Sequence, residues 1–305
     1  MKTAAFFGLV LALSASAAPA GRSPPKPIQI GFWDAGHGIA LFYGCYRCPL
    51  QVRTTQDGGR TWETIRSARA DAGLVVARPD AAWVGRLATV DRGRSWTTLP
   101  RQKYQAISFA DPRFGWGFYD DGREAANSAR LAQTRSAGSS WTRVRNPCDR
   151  IRERLVDLSS PTRKAAWVLC SGLYGAGNDA KTIFHTVDGG RRWRMVNRID
   201  FPGSGPIVGS GLGVNGYAAG IAMRATGSGW LWEGRGWAFW TSDGGRTWRK
   251  SRVTAAESRE ARSVALASRR VSFMLLQDYE RREYRLLRTA DAGARWQVVH
   301  KWRYR

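Results

Sequence analysis

Short apolar runs, many of them rich in aromatic residues, recur along the chain and are separated by turn-forming residues. The segment AISFADPRFGWGFYD, residues 106–120, shows the pattern best, because an Asp-Pro pair lies between two such runs. Weaker counterparts are GFWDAGHGIALFYG, LVVARPDAAWVGR, VDLSSPTRKAAWVLCSG and SVALASRRVSFMLLQD. Runs of this length that are bounded by turn signals are typical of β-strands. The pattern therefore predicts an all-β protein.

A phrase of the form Ser/Thr-x-Asp-x-Gly-x-x-Trp follows these predicted strands. Its six copies are TQDGGRTW, TVDRGRSW, TRSAGSSW, TVDGGRRW, TSDGGRTW and TADAGARW, and only the third replaces Asp, by Ser136. Asp can accept bonds from the backbone N–H groups that follow it, Gly supplies a positive φ, and Trp can pack against the hairpin. We therefore predict structural, not catalytic, roles for Asp57, Trp62, Asp91, Trp96, Trp141, Asp188, Trp193, Asp243, Trp248, Asp291 and Trp296.

The spacing of the copies indicates a repeat architecture. The shortest interval is 34 residues, from Trp62 to Trp96, and the longest is 55 residues, from Trp193 to Trp248. A four-stranded propeller blade takes about 40 to 50 residues. We expect a single β-propeller domain of four-stranded antiparallel blades over residues 21–305. Its repeat units are expected at about 28–65, 66–99, 104–144, 153–196, 207–251 and 262–299.

These residues carry a family resemblance. The phrase resembles the Asp-box repeat of bacterial neuraminidase (BNR) type β-propellers. Together with the upstream FADPRFGWGF, it makes residues 28–299 similar to secreted propellers related to the photosystem II assembly and stability factor. The resemblance implies the propeller fold and says little about function. Those relatives commonly have seven blades, so a seventh blade in the long fifth unit is the alternative to the six that the copies predict.

The first 20 residues, MKTAAFFGLVLALSASAAPA, have the composition of a secretory signal peptide: one Lys, a short apolar run and an Ala-x-Ala cleavage site. We expect it to be removed, which places the protein outside the cytoplasm, either secreted or periplasmic. No later segment has 18 uninterrupted apolar residues, so we expect no transmembrane segment in the mature chain. A retained N-terminal anchor helix is the alternative.

Four cysteines fit an oxidising compartment. Among the three possible connectivities, we predict the local pairs, Cys45 with Cys48 and Cys148 with Cys170. A redox or metal-binding role for the CYRC segment is the alternative. It is disfavoured because a thioredoxin-like pair needs a helix N-terminus, whereas this region is predicted to be strand and loop.

The chain is strongly basic, with 48 Lys and Arg against 24 Asp and Glu, a formal charge of +24 and a pI near 11.1. Such a surface attracts polyanions. The cations are spread along the chain, and the excess of Arg over Lys is also what a GC-rich coding sequence produces. No nucleic-acid-binding motif is present. We therefore expect a protein or an anionic cell-envelope polysaccharide as partner and no specific nucleic acid.

Motifs for catalysis, metals and cofactors are sparse. The three histidines, His37, His185 and His300, lack metal-ligand spacing, and no phosphate loop or dinucleotide fingerprint is present. We predict no catalytic residue, metal or cofactor. Resemblance to sialidases implies an Arg-containing segment before the first copy, and KPIQIGFWDAGHGIALFYG has no Arg. A propeller glycoside hydrolase stays the alternative, recognisable by paired carboxylates in a central cleft.

The fifth unit departs most from the repeat, over residues 207–240. Insertions in repeat proteins tend to form loops on a binding face. The predicted ligand-binding residues are Tyr217, Arg224, Trp230, Trp232 and Arg235. The alternative is that the tryptophans pack between blades, which we favour for Trp237 and Trp240. Taken together, the sequence predicts a monomeric, non-enzymatic binding or assembly module.

Overall fold

The computed structural model describes residues 24–120, 129–234, 237–254 and 258–304. The predicted signal peptide and Arg235 lie outside these ranges. The described chain forms 24 strands and two short 3₁₀ helices, Pro147–Ile151 and Arg252–Thr254. No described helix has the length and apolar character needed to cross a membrane.

The strands form six four-stranded antiparallel sheets, the blades, each built from consecutive strands. Blades 1 and 2 consist of β1 (Lys26–Phe32), β2 (Gly38–Tyr43), β3 (Leu50–Thr55), β4 (Glu63–Ala68), β5 (Leu74–Ala77), β6 (Ala81–Val84), β7 (Leu87–Thr89) and β8 (Thr97–Thr98). Blades 3 and 4 consist of β9 (Gln105–Phe109), β10 (Gly115–Asp120), β11 (Ala129–Thr134), β12 (Thr142–Arg143), β13 (Arg154–Ser159), β14 (Ala166–Gly175), β15 (Asn178–Thr186) and β16 (Arg194–Ile199). Blades 5 and 6 consist of β17 (Tyr217–Met223), β18 (Gly229–Gly234), β19 (Ala238–Thr241), β20 (Arg249–Lys250), β21 (Arg259–Leu266), β22 (Ser272–Asp278), β23 (Glu283–Thr289) and β24 (Gln297–Arg303).

The six blades form a closed ring. The first strand of each blade contacts the first strands of both neighbouring blades, and β1 contacts β21. The terminal blades meet through side chains, and the ring of Phe32 stacks on that of Phe273 with centroids 3.6 Å apart. The predicted six-bladed propeller is confirmed, and the long fifth unit contributes one blade.

Bulges in the first strands aim polar side chains at the next blade. In β1 the pairing shifts between Pro27 and Gln29, and the Gln29 amide then bonds both backbone groups of Leu74 at 2.9 Å. Asp157 follows the corresponding bulge in β13 and accepts the Ile221 N–H at 2.9 Å. One extra residue in a strand redirects the side chains after it, so these bulges tie neighbouring blades together.

The apolar core consists of six clusters, one at each contact between adjacent blades. The Trp of each repeated phrase packs into the cluster between its own blade and the preceding one. Trp248, the most enclosed of them, is 3% exposed. Large aromatic rings contribute much of the burial in such contacts. The repeat therefore determines the packing between blades as well as the turn.

The repeated phrase forms the same turn six times. Its Gly has φ between 85° and 100° and donates its N–H to the Thr hydroxyl at 2.9–3.1 Å. In the five copies with Asp, the Thr hydroxyl donates to the carboxylate at 2.7–2.9 Å. In the second copy, bonds from the Ser95 hydroxyl and backbone N–H lower the pKa of Asp91 to about 2. Ser136 replaces Asp by accepting the Ser140 N–H at 2.9 Å.

Both predicted disulfides are present. Cys45 pairs with Cys48 in the connection between β2 and β3. Cys148 pairs with Cys170, which joins the first 3₁₀ helix to β14 across a Cα–Cα distance of 5.7 Å.

Candidate functional site

The two faces of the ring are formed by different sets of connections between strands. Because each blade is an antiparallel meander, its first and third connections lie on one face, which carries the six repeated turns. We call this the turn face. The second connection of each blade and the connections between blades lie on the opposite face, the loop face. Backbone hydrogen bonds of 2.7–3.2 Å join each repeated turn to the first turn of its own blade. The turn face therefore has the same backbone structure in all six blades, whereas the connections on the loop face differ in length and sequence.

A groove of about 840 Å³ opens on the loop face around blade 2 and extends between blades 2 and 3. Blade 2 is the smallest, since β5 to β8 have four, four, three and two residues. Its second connection is the pair Gly85-Arg86. Residues of the neighbouring connections, 69–73 and 99–104, line the groove on either side of this short blade.

Four arginines line the groove, Arg66, Arg69, Arg86 and Arg101, and the one carboxylate among the described lining residues is Asp71. Arg69 pairs with Asp71 at 3.0 Å, with both side chains largely in solvent. The Arg86 guanidinium donates to the Leu99 carbonyl at 2.8 Å, which orients it without neutralising it. The groove therefore has an excess of positive charge that an anionic ligand would neutralise.

Aromatic and aliphatic side chains form a second part of the lining, beside polar residues such as Thr98 and Gln102. Tyr104 is half-buried, with its ring centroid 6.1 Å from that of Trp141. Trp83 stacks on Phe109 at 3.5 Å. Val75, Leu87, Leu99 and Pro100 also line the groove. Arginines beside aromatic rings are the residue types that dominate binding energy at protein interfaces.

A second group of charged residues lies on the loop-face side, between blades 4 and 5, and is buried from solvent. The Lys181 ammonium lies 2.8 Å from the Asp179 carboxylate and 3.2 Å from that of Glu233, and all three side chains are at most 2% exposed. Beside them, Arg198 bonds Asp200 at 2.8 Å. Burial, opposed in part by Lys181, raises the pKa of Glu233 to about 7. These charges compensate one another inside the protein.

Two further carboxyl groups, those of Glu153 and Asp157, have a pKa raised to about 7 and are held by their own partners. Burial raises the pKa of Glu153 to about 7, and its carboxylate accepts the Thr182 hydroxyl at 3.0 Å. Burial also raises the pKa of Asp157 to about 7. The backbone N–H groups of Leu158 and Ile221 donate hydrogen bonds to its carboxylate and oppose this rise. Glycosidase chemistry needs two carboxyl groups that flank an open cleft. Glu153 and Glu233 are 4% and 0% exposed, and none of the three lines the groove.

The described residues contain no group of three or more His, Cys, Asp or Glu that could hold a metal ion. Each histidine has a contact of its own. His37 contacts Asp34 at 3.0 Å, His185 stacks on Trp167 at 4.0 Å, and His300 bonds the Arg60 carbonyl at 2.8 Å.

The predicted ligand-binding residues of the fifth unit do not share one surface. Tyr217 is 42% exposed at the loop-face end of β17, whereas Arg224, 5% exposed, follows the turn-face end. Arg224 donates to the Ser268 carbonyl at 2.8 Å and to the Ser272 hydroxyl at 2.7 Å, so it links blades 5 and 6.

Trp230 is 1% exposed and packs on Trp296 with centroids 5.3 Å apart. Trp232 lies in the same cluster between blades 5 and 6, as does Trp240, and Trp237 packs in the cluster between blades 4 and 5. Arg235 lies outside the described residues. Ligand binding by this set stays a prediction, and any such role for Trp230 and Arg224 would require blades 5 and 6 to separate.

The groove around blade 2 is the feature that we missed from the sequence. Its signal is the interval of 34 residues between Trp62 and Trp96, the shortest in the chain. A short repeat predicts a short blade, and a short blade between longer neighbours leaves a depression. The binding site predicted from the sequence lies in the longest unit, whereas the groove lies at the shortest one.

No protein-family model matches the chain, and no curated protein matches it at a significant level. Solved structures of similar fold include YCF48 bound to a D1 peptide, with 15% identity, a TM-score of 0.50 and coverage of 90% of this chain and 81% of that one. YCF48 from Cyanidioschyzon merolae has 16% identity, a TM-score of 0.52 and coverage of 91% and 87%. An α-L-arabinanase of Penicillium chrysogenum complexed with arabinobiose has 11% identity, a TM-score of 0.49 and coverage of 93% and 94%. At these identities the likeness concerns the fold alone.

Proposed function

We propose that this chain is a non-enzymatic binding module that holds an acidic peptide segment of a partner protein in the groove around blade 2. The observation that carries the proposal is the lining of that groove, in which four arginines face a single carboxylate. A formal charge of +24 over the whole chain would also speed the approach of an acidic partner.

The size and the apolar part of the lining favour a peptide over an anionic polysaccharide. A volume of about 840 Å³ lies within the usual range of ligand sites. Leu87, Leu99 and Pro100 form an aliphatic surface beside Tyr104. This surface can contact the apolar side chains of a peptide, and a polyanionic sugar chain has no such side chains. A propeller of the same fold binds a peptide in the YCF48 complex with a D1 peptide. This complex supports the proposal by showing that the fold is compatible with a peptide partner.

We also infer the setting in which this module works. Residues 1–20 act as a signal peptide, the mature chain is a monomeric propeller of residues 21–305, and the repeated turns are Asp-box turns. Two disulfides are compatible with an oxidising compartment outside the cytoplasm. N-terminal sequencing of the exported protein tests the cleavage, with Gly21 as the expected first residue.

Fluorescence anisotropy with labelled peptides tests the binding. The probe is a peptide that alternates Asp or Glu with Leu and Tyr, and its control replaces every acid by Lys. We compare the wild type with R69E/R101E in the groove and with R191E/R192E on the turn face. The two variants change the net charge equally, and all four side chains are exposed.

We expect the groove variant to bind the acidic peptide at least tenfold more weakly and the turn-face variant to stay within about twofold of the wild type. Equal losses in both variants would mean nonspecific charge attraction. If a polyuronate binds in a groove-dependent manner and the peptide does not, the peptide proposal is wrong and the polysaccharide takes its place.

A further inference from the structure

The Lys181 ammonium lies in a cage of oxygen atoms. The carboxylates of Asp179 and Glu233 lie 2.8 and 3.2 Å from it. Five backbone carbonyls surround it at 3.0–3.4 Å, those of Asp179, Gly213, Val214, Asn215 and Gly216. Lys181 is fully buried, so these seven oxygens make up its polar surroundings among the described residues.

The number of oxygens exceeds what an ammonium group can use. A lysine donates at most three hydrogen bonds, whereas seven oxygens lie within 3.4 Å of Nζ. The Glu233 carboxylate is close enough for an ion pair but has no hydrogen bond among its described neighbours. A shell of six to eight oxygens around one centre is the arrangement that proteins build for a metal cation.

The backbone shows how the cage is built. The Asp179 N–H bonds the Val214 carbonyl at 2.9 Å, and the Asp179 carboxylate accepts the Ala218 N–H at 3.0 Å. These bonds hold residues 213–216 over the start of β15 with their carbonyls directed at one point. Several carbonyl dipoles with their negative ends close together repel one another, which is costly unless a cation is at the centre.

We propose that this cavity is a monovalent-cation site that the chain fills with its own lysine, and that it binds K⁺ when Lys181 is replaced by a residue too short to reach it. The oxygen distances of 2.8–3.4 Å are longer than the roughly 2.3–2.6 Å of Ca²⁺ sites. They suit a larger ion, and K⁺ is close to an ammonium group in size and equal to it in charge. Carbonyl oxygens are the ligands that replace the hydration shell of K⁺ in proteins.

The site does not depend on the proposed peptide groove. Its role is to fix the long connection between blades 4 and 5 without a soluble ion, so that this part of the loop face stays closed at any salt concentration.

Thermal unfolding of K181A and K181M in KCl and in choline chloride at equal ionic strength tests the proposal. Alanine leaves the cage empty, and methionine fills the space with an uncharged chain. We expect K⁺ to raise the melting temperature of K181A in a saturable manner. At a K⁺ concentration about 100 times Kd, the ratio of folded to unfolded protein rises about 100-fold. The melting temperature of the wild type should be the same in the two salts, and that of K181M, although lower, should also be the same in the two salts.

Several results would overturn the proposal. One is a K181A melting temperature that does not depend on K⁺, and another is an equal rise in K181M, which would be a general salt effect. Failure of K181A to fold in KCl also counts against it. Among cations, K⁺ should stabilise K181A more than Na⁺ or Li⁺ does, and a preference for Ca²⁺ over K⁺ would contradict the size argument.

Discussion

The loop face carries two groups of charged residues that differ in how their charge is compensated. Around blade 2, four arginines and one aspartate line an open groove. Between blades 4 and 5, one lysine and two acids form a sealed cage whose members are at most 2% exposed. Loss of one member of a buried, compensated group destabilises the fold, whereas charge on an open concave surface is available to a partner. We therefore place the proposed peptide binding in the groove and expect a structural role for the cage.

The largest effect is expected from breaking the cage. K181M leaves Asp179 and Glu233 without their cation, and removal of one partner from a buried ion pair costs about 3–5 kcal/mol. Urea denaturation measures the loss. R101E in the groove is the control, because exposed charges contribute about 0–1 kcal/mol. If K181M lost less than R101E, the assignment of structure to the cage would be wrong.

The second effect concerns pH. Burial raises the pKa of Glu153 from its ordinary value of 4.5 to about 7, so the folded state binds this proton more tightly than the unfolded state does. The contribution to stability is therefore full below about pH 4.5 and is lost as pH rises through about 7. Unfolding free energies of the wild type should fall between pH 5 and 8. E153Q keeps the acceptor for Thr182 and should show a smaller fall.

Peptide binding provides the contrast to this pH dependence. Arginines do not titrate in this range, and the carboxylate of Asp71 stays ionised because its pKa is lowered by Arg69. Affinity for the acidic peptide should therefore stay constant within about twofold from pH 6 to 8. A loss of affinity that parallels the loss of stability would mean that the two regions are coupled.

A smaller effect is expected from a single groove charge. R101E alone should weaken acidic-peptide binding about fivefold to tenfold, about 1 kcal/mol, and should make binding less sensitive to salt. Isothermal titration at two ionic strengths measures both quantities. Unchanged affinity together with an unchanged salt dependence would remove Arg101 from the site.

The smallest effect comes from the turn face, which serves as the reference for both regions. S136D replaces the hydroxyl acceptor of the third repeated turn by a carboxylate, and the charge-assisted bonds should add about 0.5–1.5 kcal/mol. D91S makes the reverse change in the second turn. Peptide affinity should not change in either variant, and melting temperatures measure the effect. A destabilised S136D would show that the third turn has adapted to Ser136.

The fold could be predicted from the sequence because the interactions that form each repeated turn are local in the chain. The Thr, Asp (Ser136 in the third copy), Gly and Trp of each phrase lie within eight residues, and the bonds of the first copy show that they form within one turn. The site could not be predicted in the same way. Trp230 looked available in the sequence, but it is enclosed by Trp296 of the next blade. Lys181 and Glu233 are far apart in the chain and meet only when blades 4 and 5 pack.

Photo-crosslinking of the acidic peptide, followed by mass spectrometry of the crosslinked fragments, tests the central claim most directly. A photoreactive group in place of the peptide's tyrosine should label residues 66–73, 85–87 or 98–106, and an excess of unlabelled peptide should remove the signal. Labelling spread evenly over both faces, or concentrated on blades 4 to 6, would contradict the assignment of binding to the groove around blade 2.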